Sequence, residues 1–251
     1  MAAEVYLLVA LISIGAGFLT ASIGFGGAVF LMMFFPSFLP FVNATALSST
    51  IIYGGILLLA IEYRKHIRWK ELLLPVVLYV ACSIPMIYFV SSADVNTLKL
   101  WFSLVIILIG LYYLACVIWS EKIKFKKNLP TTVICSCMSG VSTGLFGIGG
   151  PPMAGYFMAV TGDDKAAYIG TIQAFFAISM FFSIAARFSA GIMPVSYIPL
   201  AAAGFATSLI GKRLGTLMLS MINDRVLKIA ICAFMILSQL SNIANYLVPK
   251  G

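Results

Sequence analysis

Long apolar runs alternate with short polar or basic stretches along the whole chain. Several of these runs reach the roughly 20 residues that an α-helix needs to cross a bilayer. We therefore expect an all-α polytopic membrane protein with no soluble domain. The pattern predicts eight hydrophobic segments, at residues 5–35, 44–61, 72–90, 98–119, 131–160, 167–186, 194–210 and 226–248.

The first and fifth segments differ from the others in length and in glycine content. Each runs for roughly 30 residues, which is too long for one ordinary crossing. Glycines interrupt both, in GFLTASIGFGGAVF at 17–30 and in GVSTGLFGIGGPPM at 140–153. Interrupted backbone inside a membrane is tolerated only within protein or beside a water-filled cavity. Each segment is therefore predicted to contain a broken or re-entrant helix.

The two glycine-rich stretches align without a gap and indicate an internal repeat. We predict two four-segment repeats, 1–120 and 131–251, joined by a basic cytoplasmic linker at 121–130. Repeats of this kind are common in transporters. The matched pairs are Gly17 with Gly140, Thr20 with Thr143, Gly24 with Gly147, Gly26 with Gly149, Gly27 with Gly150, Ser48 with Thr171, Arg64 with Arg187 and, after a shift of six residues, Leu98 and Lys99 with Leu227 and Lys228.

The basic residues discriminate between two topologies. The net charge is +8, yet Lys and Arg sit in clusters between apolar runs, as in membrane proteins rather than nucleic-acid-binding proteins. If the long segments each cross once, the repeats are parallel and the basic residues divide 10 to 6. If they re-enter, each repeat has three crossings, the repeats are inverted, and 13 of the 16 basic residues share one side. The positive-inside rule favours the inverted repeats, with both termini outside.

The remaining chemistry argues against an enzyme. The five cysteines are scattered through apolar runs, and the Cys135–Cys137 pair is read as two buried thiols. We find no nucleophilic triad, metal-ligand cluster or phosphate loop, so no cofactor is expected. Asp and Glu all fall near predicted segment ends, which suits an anion better than a cation as the substrate.

The two breaks form the candidate site. A half-helix that begins after a break offers unpaired N–H groups and a positive dipole end to an anion. Pro151 suits the start of such a helix, and in inverted repeats two such ends can meet near the midplane. The alternative is that these glycines only permit tight helix packing. The candidate substrate-binding residues are Thr20, Ser22, Gly24, Gly26, Gly27, Asn43, Ser48, Ser49, Tyr53, Thr143, Gly147, Gly149, Gly150, Pro151, Thr171, Gln173 and Arg187.

Two polar side chains among these have competing interpretations. Gln173 can donate to an anion oxygen without adding charge, or it can form a hydrogen bond between helices. Arg64 and Arg187 are related by the repeat and can attract anions at the two mouths of a pathway. Interfacial snorkelling is the simpler explanation for Arg64, which lies in a basic cluster.

The paired motifs GFLTASIGFGGA and GVSTGLFGIGGPP resemble those of the TauE/SafE sulfite exporter family, also called the toluene-sulfonate uptake permease family. The resemblance extends over nearly the whole chain. It implies a multi-pass permease of the bacterial inner (plasma) membrane for sulfite, sulfonates or related organic anions. One departure is that Ala28-Val29 stands where the second repeat has Pro151-Pro152, so the two half-sites differ.

We therefore expect a secondary transporter of a small sulfur-containing or organic anion, with export implied by the family name. The alternatives are a passive anion channel and a membrane scaffold or sensor that transports nothing. The expected partners are a small anionic substrate and the lipid bilayer, without nucleic acid, and the chain is compatible with a homo-oligomer.

Overall fold

The fold was analysed in a computed structural model, which describes residues 3–23, 26–119, 127–162 and 164–218 and a few isolated positions between 229 and 243. The eighth predicted segment, 226–248, lies largely outside these residues. Within them the chain is helical and contains no strand, which confirms the predicted all-α class. The α-helices are α1 Ala3–Ile23, α2 Gly27–Phe34, α3 Phe41–Glu62, α4 Leu73–Ser92, α5 Val95–Trp119, α6 Leu129–Phe146, α7 Gly150–Thr161, α8 Lys165–Ser189 and α9 Ile198–Met218.

Four helices in the described part of the chain are long and apolar enough to cross a membrane. They are Phe41–Glu62, Trp69–Ser92, Leu129–Phe146 and Lys165–Ser189. Large apolar side chains also face outward, and Leu73 is 75% exposed. Such a surface suits lipid rather than water. The protein is a multi-pass membrane protein.

Polar residues between the apolar runs fix where several helices begin. The Asn128 side chain accepts a hydrogen bond from the Thr131 N–H, and Asp164 accepts one from the Ala167 N–H, so both residues act as N-caps. At the start of α5, Asp94 accepts from the N–H and the hydroxyl of Thr97. These hydrogen bonds hold the pKa of the Asp94 carboxyl below its usual value.

Both glycine-rich segments are interrupted, as the sequence predicts. The first helix ends at Ile23 and the next begins at Gly27, while in the second segment the helices end at Phe146 and begin again at Gly150. Gly26 (φ 106°) and Gly147 (φ 73°) have positive φ angles, which side-chain-bearing residues rarely adopt. The breaks are therefore encoded locally by glycine.

The chain reverses direction at the second break. Near the start of α6, the Thr132 hydroxyl lies 3.0 Å from the Tyr156 hydroxyl in the middle of α7. Nearer the break, the Ser139 hydroxyl donates to the Gly149 carbonyl just before α7 begins. Because residues farther from the break in α6 contact residues farther from it in α7, the two helices form an antiparallel hairpin.

The first break has the same arrangement. A Cβ on Gly15 would meet the Phe30 ring, and one on Gly27 would overlap the Thr20 hydroxyl. Position 15 therefore lies beside position 30, while positions closer to the break lie beside each other. As in the second segment, α2 folds back along α1.

The hairpins pack against helices of the opposite half of the chain. Gly17 in α1 lies against the Ser208 carbonyl in α9, and Gly140 in α6 lies against the Tyr79 carbonyl in α4. Glycines permit this close approach of two backbones. The packing interpretation is thus right for Gly17 and Gly140, which precede the breaks.

The ordering of contacts gives the helix directions. Helices α3 and α8 are antiparallel, since Thr45 contacts Arg187 and Tyr63 lies against Gly170. Four other pairs outside the hairpins are parallel. They are α4 with α6, through Tyr79 with Gly140 and Ser83 with Gly144; α4 with α8, through Ser83 with Ser183 and Tyr88 with Ser189; α3 with α9, through Ile51 with Gly204 and Gly54 with Phe205; and α1 with α9, through Ser13 with Gly204 and Gly17 with Ser208.

Basic loops gather at one end of the helical bundle, which we call the basic end. Lys127 forms a salt bridge of 2.5 Å with Glu71, which joins the linker to the loop between α3 and α4. Arg68 of the same loop donates to the carbonyls of Val160 (2.9 Å) and Thr161 (3.2 Å) at the end of α7. Cationic donors stabilise a helix C-terminus in this way.

Candidate functional site

A cavity of about 120 Å³ lies between the two helix breaks. It contains parts of both, together with side chains from α3, α4, α8 and α9. The lining residues include nine of the predicted site residues, Thr20, Gly26, Gly27, Thr143, Gly147, Gly149, Gly150, Pro151 and Gln173. The structure therefore brings the two glycine motifs to one place.

The α2 N-terminus presents backbone donors to the cavity. The Phe30 N–H donates to the Gly26 carbonyl at 2.9 Å, so the first in-helix bond of α2 begins there. The N–H groups of Gly27, Ala28 and Val29 precede it and have no acceptor within the helix. All three residues line the cavity.

The α7 N-terminus differs, because Pro151 and Pro152 follow Gly150. Proline has no N–H, so Gly150 is the only one of these three residues with a backbone donor. The prolines suit the first turn of a helix, where N–H groups lack in-helix acceptors. The break in the second half is therefore a rigid helix start with few donors.

Unpartnered polar atoms line the cavity on the α7 side. The Tyr79 hydroxyl, the Thr143 hydroxyl and the Gln173 side-chain oxygen are buried and form no hydrogen bond of normal geometry, although the Tyr79 hydroxyl lies close to those of Thr143 and Ser183. Tyr79 is fully buried, and Thr143 is 2% exposed. An unsatisfied buried polar group costs about 1–3 kcal/mol. Three such atoms around one cavity indicate a place for a polar ligand.

Arg187 lies behind this group, fully buried rather than at an exposed mouth, which corrects the sequence-based expectation. Its guanidinium donates to the Thr45 hydroxyl (2.5 Å) and to the carbonyls of Thr143 (2.6 Å) and Gly144 (3.1 Å). These carbonyls belong to the last turn of α6, so Arg187 offsets the negative end of that helix. No Asp or Glu among the described residues forms a salt bridge with it.

Several predicted residues lie elsewhere. The Asn43 amide donates to the Ile192 carbonyl at 2.8 Å, and the Thr171 hydroxyl accepts from the Arg68 N–H at 3.0 Å. Ser48 and Ser49 donate to the Thr45 carbonyl and pack against Gly147 without lining the cavity.

The outcomes differ for three further residues that were predicted to bind the substrate, Tyr53, Ser22 and Gly24. Tyr53 is half-buried and packs on the apolar cluster around Phe175. The side chain of Ser22 and the whole of Gly24 lie outside the described residues.

Three polar residues of the cavity were missed by the sequence analysis, namely Tyr79, Ser208 and Lys212. Tyr79 stands in an apolar run, where a tyrosine is an ordinary core residue, and Lys212 lies just beyond the predicted segment 194–210. The number of residues between Tyr79 and the glycine-rich motifs does not indicate that Tyr79 lies in the cavity. Its position follows from the packing of α4 on α6.

Metal binding has no support in the described ranges, where no group of three or more His, Cys, Asp and Glu residues is placed to hold an ion. The chemistry available to the cavity is hydrogen-bond donation and positive electrostatic potential. Both suit an anion.

Multiple apolar spans, interrupted helices and a cavity between the interruptions define a membrane transport protein. The chain belongs to the TauE/SafE sulfite exporter family, because the family model described as "Sulfite exporter TauE/SafE" matches residues 9–241. No curated protein and no solved structure matches the chain. The family handles sulfite and related anions, and it is a family of transporters rather than enzymes.

Proposed function

We propose that this protein is a secondary transporter of a small sulfur-containing or organic anion, which binds in the cavity between the two broken helices. One observation carries the proposal: both breaks and three unpartnered buried polar atoms line the same space. A scaffold would have no use for unpaired donors at that place. The family makes sulfite and sulfonates the first candidates.

The charge near the cavity supports an anion. Among the residues that the structure describes, no Asp or Glu lines it, whereas Lys212, which interacts with Glu62, does. Arg187 adds a buried positive charge, and its donor to the Thr143 carbonyl links it to a cavity residue. A buried charge is costly unless it is compensated. An anion in the cavity supplies part of that compensation.

We further propose that the two halves form inverted repeats. Helix α3 is antiparallel to its repeat partner α8. Because α4 is parallel to α8 and α9 is parallel to α3, the partners α4 and α9 also oppose each other. In inverted repeats of this kind, two conformations open the site to opposite sides of the membrane in turn.

The basic end is proposed to face the cytoplasm of a bacterial cell, since cytoplasmic loops carry the excess of Lys and Arg. Leu59 and Lys212 line the cavity toward this end. At the other end, Asn43 joins α3 to the segment after α8 through the Ile192 carbonyl. This arrangement is consistent with loading from the cytoplasmic side, and thus with export.

The test is anion binding and flux with purified protein. Thermal unfolding is followed with sulfite, sulfate, sulfoacetate, taurine, acetate and chloride, because a ligand that binds the folded state raises its apparent stability. Uptake into proteoliposomes follows for each anion that binds. We expect saturable binding and flux of sulfite or a sulfonate, with chloride inert.

The same assay separates the alternatives. Flux that rises linearly with concentration and ignores imposed ion gradients would identify a passive anion channel. Binding and flux of none of the six anions would contradict the proposed transport of this substrate class.

A further inference from the structure

We infer that the anion is held asymmetrically, by backbone N–H groups of the first half and by the side chains of Tyr79, Thr143 and Gln173 on the other side. The inference rests on the proposed function and adds which groups bind. It predicts that the side-chain hydroxyls on the α2 side of the cavity contribute little.

The repeat relates polar positions in the two halves of the chain. Thr20 corresponds to Thr143, and Thr50 corresponds to Gln173, although Thr50, unlike Gln173, does not line the cavity. Ser208 takes the place of Tyr79, because Gly17 lies against the Ser208 carbonyl as Gly140 lies against the Tyr79 carbonyl. The two sets can therefore be compared one pair at a time.

On the α2 side, all three hydroxyls are bonded to their own helices. Thr20 donates to the Ala16 carbonyl at 2.8 Å, Thr50 to the Ala46 carbonyl at 2.9 Å, and Ser208 to the Phe205 carbonyl at 2.7 Å. A hydroxyl has one proton to donate. These groups have therefore already used the donor that an anion requires.

On the α7 side, the matched groups are available. The hydroxyls of Tyr79 and Thr143 and the side-chain oxygen of Gln173 form no hydrogen bond of normal geometry, although the Tyr79 hydroxyl lies close to those of Thr143 and Ser183. The hydroxyl protons can rotate toward a ligand, and a half-turn of the Gln173 amide presents its NH₂ group instead of its oxygen. This side offers up to three neutral side-chain donors.

Backbone donors are distributed in the opposite way. The α2 N-terminus has N–H groups at Gly27, Ala28 and Val29, all lining the cavity. At α7, the prolines at 151 and 152 remove two of the three equivalent donors. Each side supplies the kind of donor that the other lacks, and a single anion between them can receive both.

The rest of the cavity wall is largely apolar. Ile56, Leu59, Ile172 and Phe176 line it. A volume of about 120 Å³ is enough space for a compact oxyanion with two or more acceptor oxygens.

The experiment compares matched variants in the full-length purified protein, with sulfite and methanesulfonate as probes. Tyr79→Phe, Thr143→Val and Gln173→Leu should each weaken binding by roughly ten- to a hundredfold, because each removes a donor to a charged ligand. Ser208→Ala, Thr20→Val and Thr50→Val should change it by less than about threefold. Equal losses in the two sets would overturn the asymmetric site.

Unfolding temperature without ligand gives a second readout that does not depend on transport. Tyr79→Phe and Thr143→Val remove hydroxyls that form no hydrogen bond of normal geometry, so the unfolding temperature should stay the same or rise. A fall would mean that these hydroxyls hold the fold together, and it would overturn the inference even if binding were also lost. If the wild-type protein bound neither probe, the proposed function would fail. The unfolding temperatures of the two variants would still show whether the Tyr79 and Thr143 hydroxyls stabilise the fold.

Discussion

Arg187 is a buried cation that serves a helix end and, in the proposed function, also the anion site. It donates to two carbonyls of the last turn of α6, and one of these belongs to the cavity residue Thr143. Arg187 offsets the negative end of the α6 dipole. That end therefore cancels less of the positive potential at the N-terminus of α7. The side chain therefore acts on a ligand through charge and through the position of Thr143, without lining the cavity.

We expect Arg187→Met to weaken sulfite binding at least about tenfold and to lower the unfolding temperature, because α6 loses charged donors worth about 1.5–3 kcal/mol each. Arg187→Lys keeps the charge but not the planar fork, so it should recover affinity only in part. The control is Arg64→Met, at the exposed repeat-related position. Equal effects at Arg64 and Arg187 on the dissociation constant would contradict this role.

Lys212 gives a second prediction at the residue scale. It is half-buried and lines the cavity toward the basic end. Lys212→Gln should lower the apparent affinity for the anion about three- to tenfold at low salt and by less at high salt, since ions screen accessible charges. The exposed Lys65→Gln, measured by the same flux assay over a salt series, is the control. Matching salt profiles of the two variants would mean that Lys212 acts only through the general surface potential.

Sequence reasoning located the backbone of the site better than its side chains. The motifs predicted both breaks because glycine is needed where φ is positive, as at Gly26 and Gly147. Tyr79 was missed because its place in the cavity depends on how α4 packs on α6. Asn43 was chosen for its polarity within an apolar segment, but that amide is used by the Ile192 carbonyl.

In the proposed function, the turn of each hairpin must remain open to a ligand, and in the second hairpin both helix ends are fixed. In the second hairpin, Arg187 binds the end of α6 and Arg68 binds the end of α7. Both arginines come from outside the hairpin. Its two C-termini are therefore tied to neighbouring elements, while the start of α7 borders the cavity.

The first break is tested with Gly26→Leu and its control Gly191→Leu. Both glycines have positive φ, and a Cβ on either meets no described atom within 4 Å, so the backbone strain should be similar, about 1–2 kcal/mol. Only Gly26 lines the cavity. We expect Gly26→Leu to abolish flux and Gly191→Leu to retain most of it, with both proteins folded by thermal unfolding. Full flux in Gly26→Leu would exclude the break from the pathway.

At the scale of the whole molecule, the helix directions predict which loops share a side of the membrane. Single cysteines are introduced into a cysteine-free background at Lys65, Lys165 and Val195 and labelled with an impermeant reagent. In the inverted arrangement, Lys65→Cys and Lys165→Cys react from the cytoplasmic side and Val195→Cys from the other. The eight-crossing topology would instead place 65 and 195 together and 165 opposite.

The multi-pass class and most helix bounds followed from the sequence, since apolar runs of bilayer length have few alternative structures. For α3, the predicted 44–61 lies within the observed Phe41–Glu62. The pairing of helices did not follow, because apolar surfaces do not specify partners within lipid. Small residues such as Gly17 and Gly140 decide it, and their partners could be identified only in the folded protein.

The uncompensated charge of Arg187 has a consequence for the electrical behaviour of the protein. An empty cavity leaves the charge of Arg187 buried inside the membrane, in addition to that of Lys212, whereas a bound monoanion lowers the local net charge by one. Moving one charge across the full membrane potential changes the free energy by about 2.3 kcal/mol per 100 mV. The conformational change of the empty protein should therefore respond to voltage more strongly than that of the loaded protein.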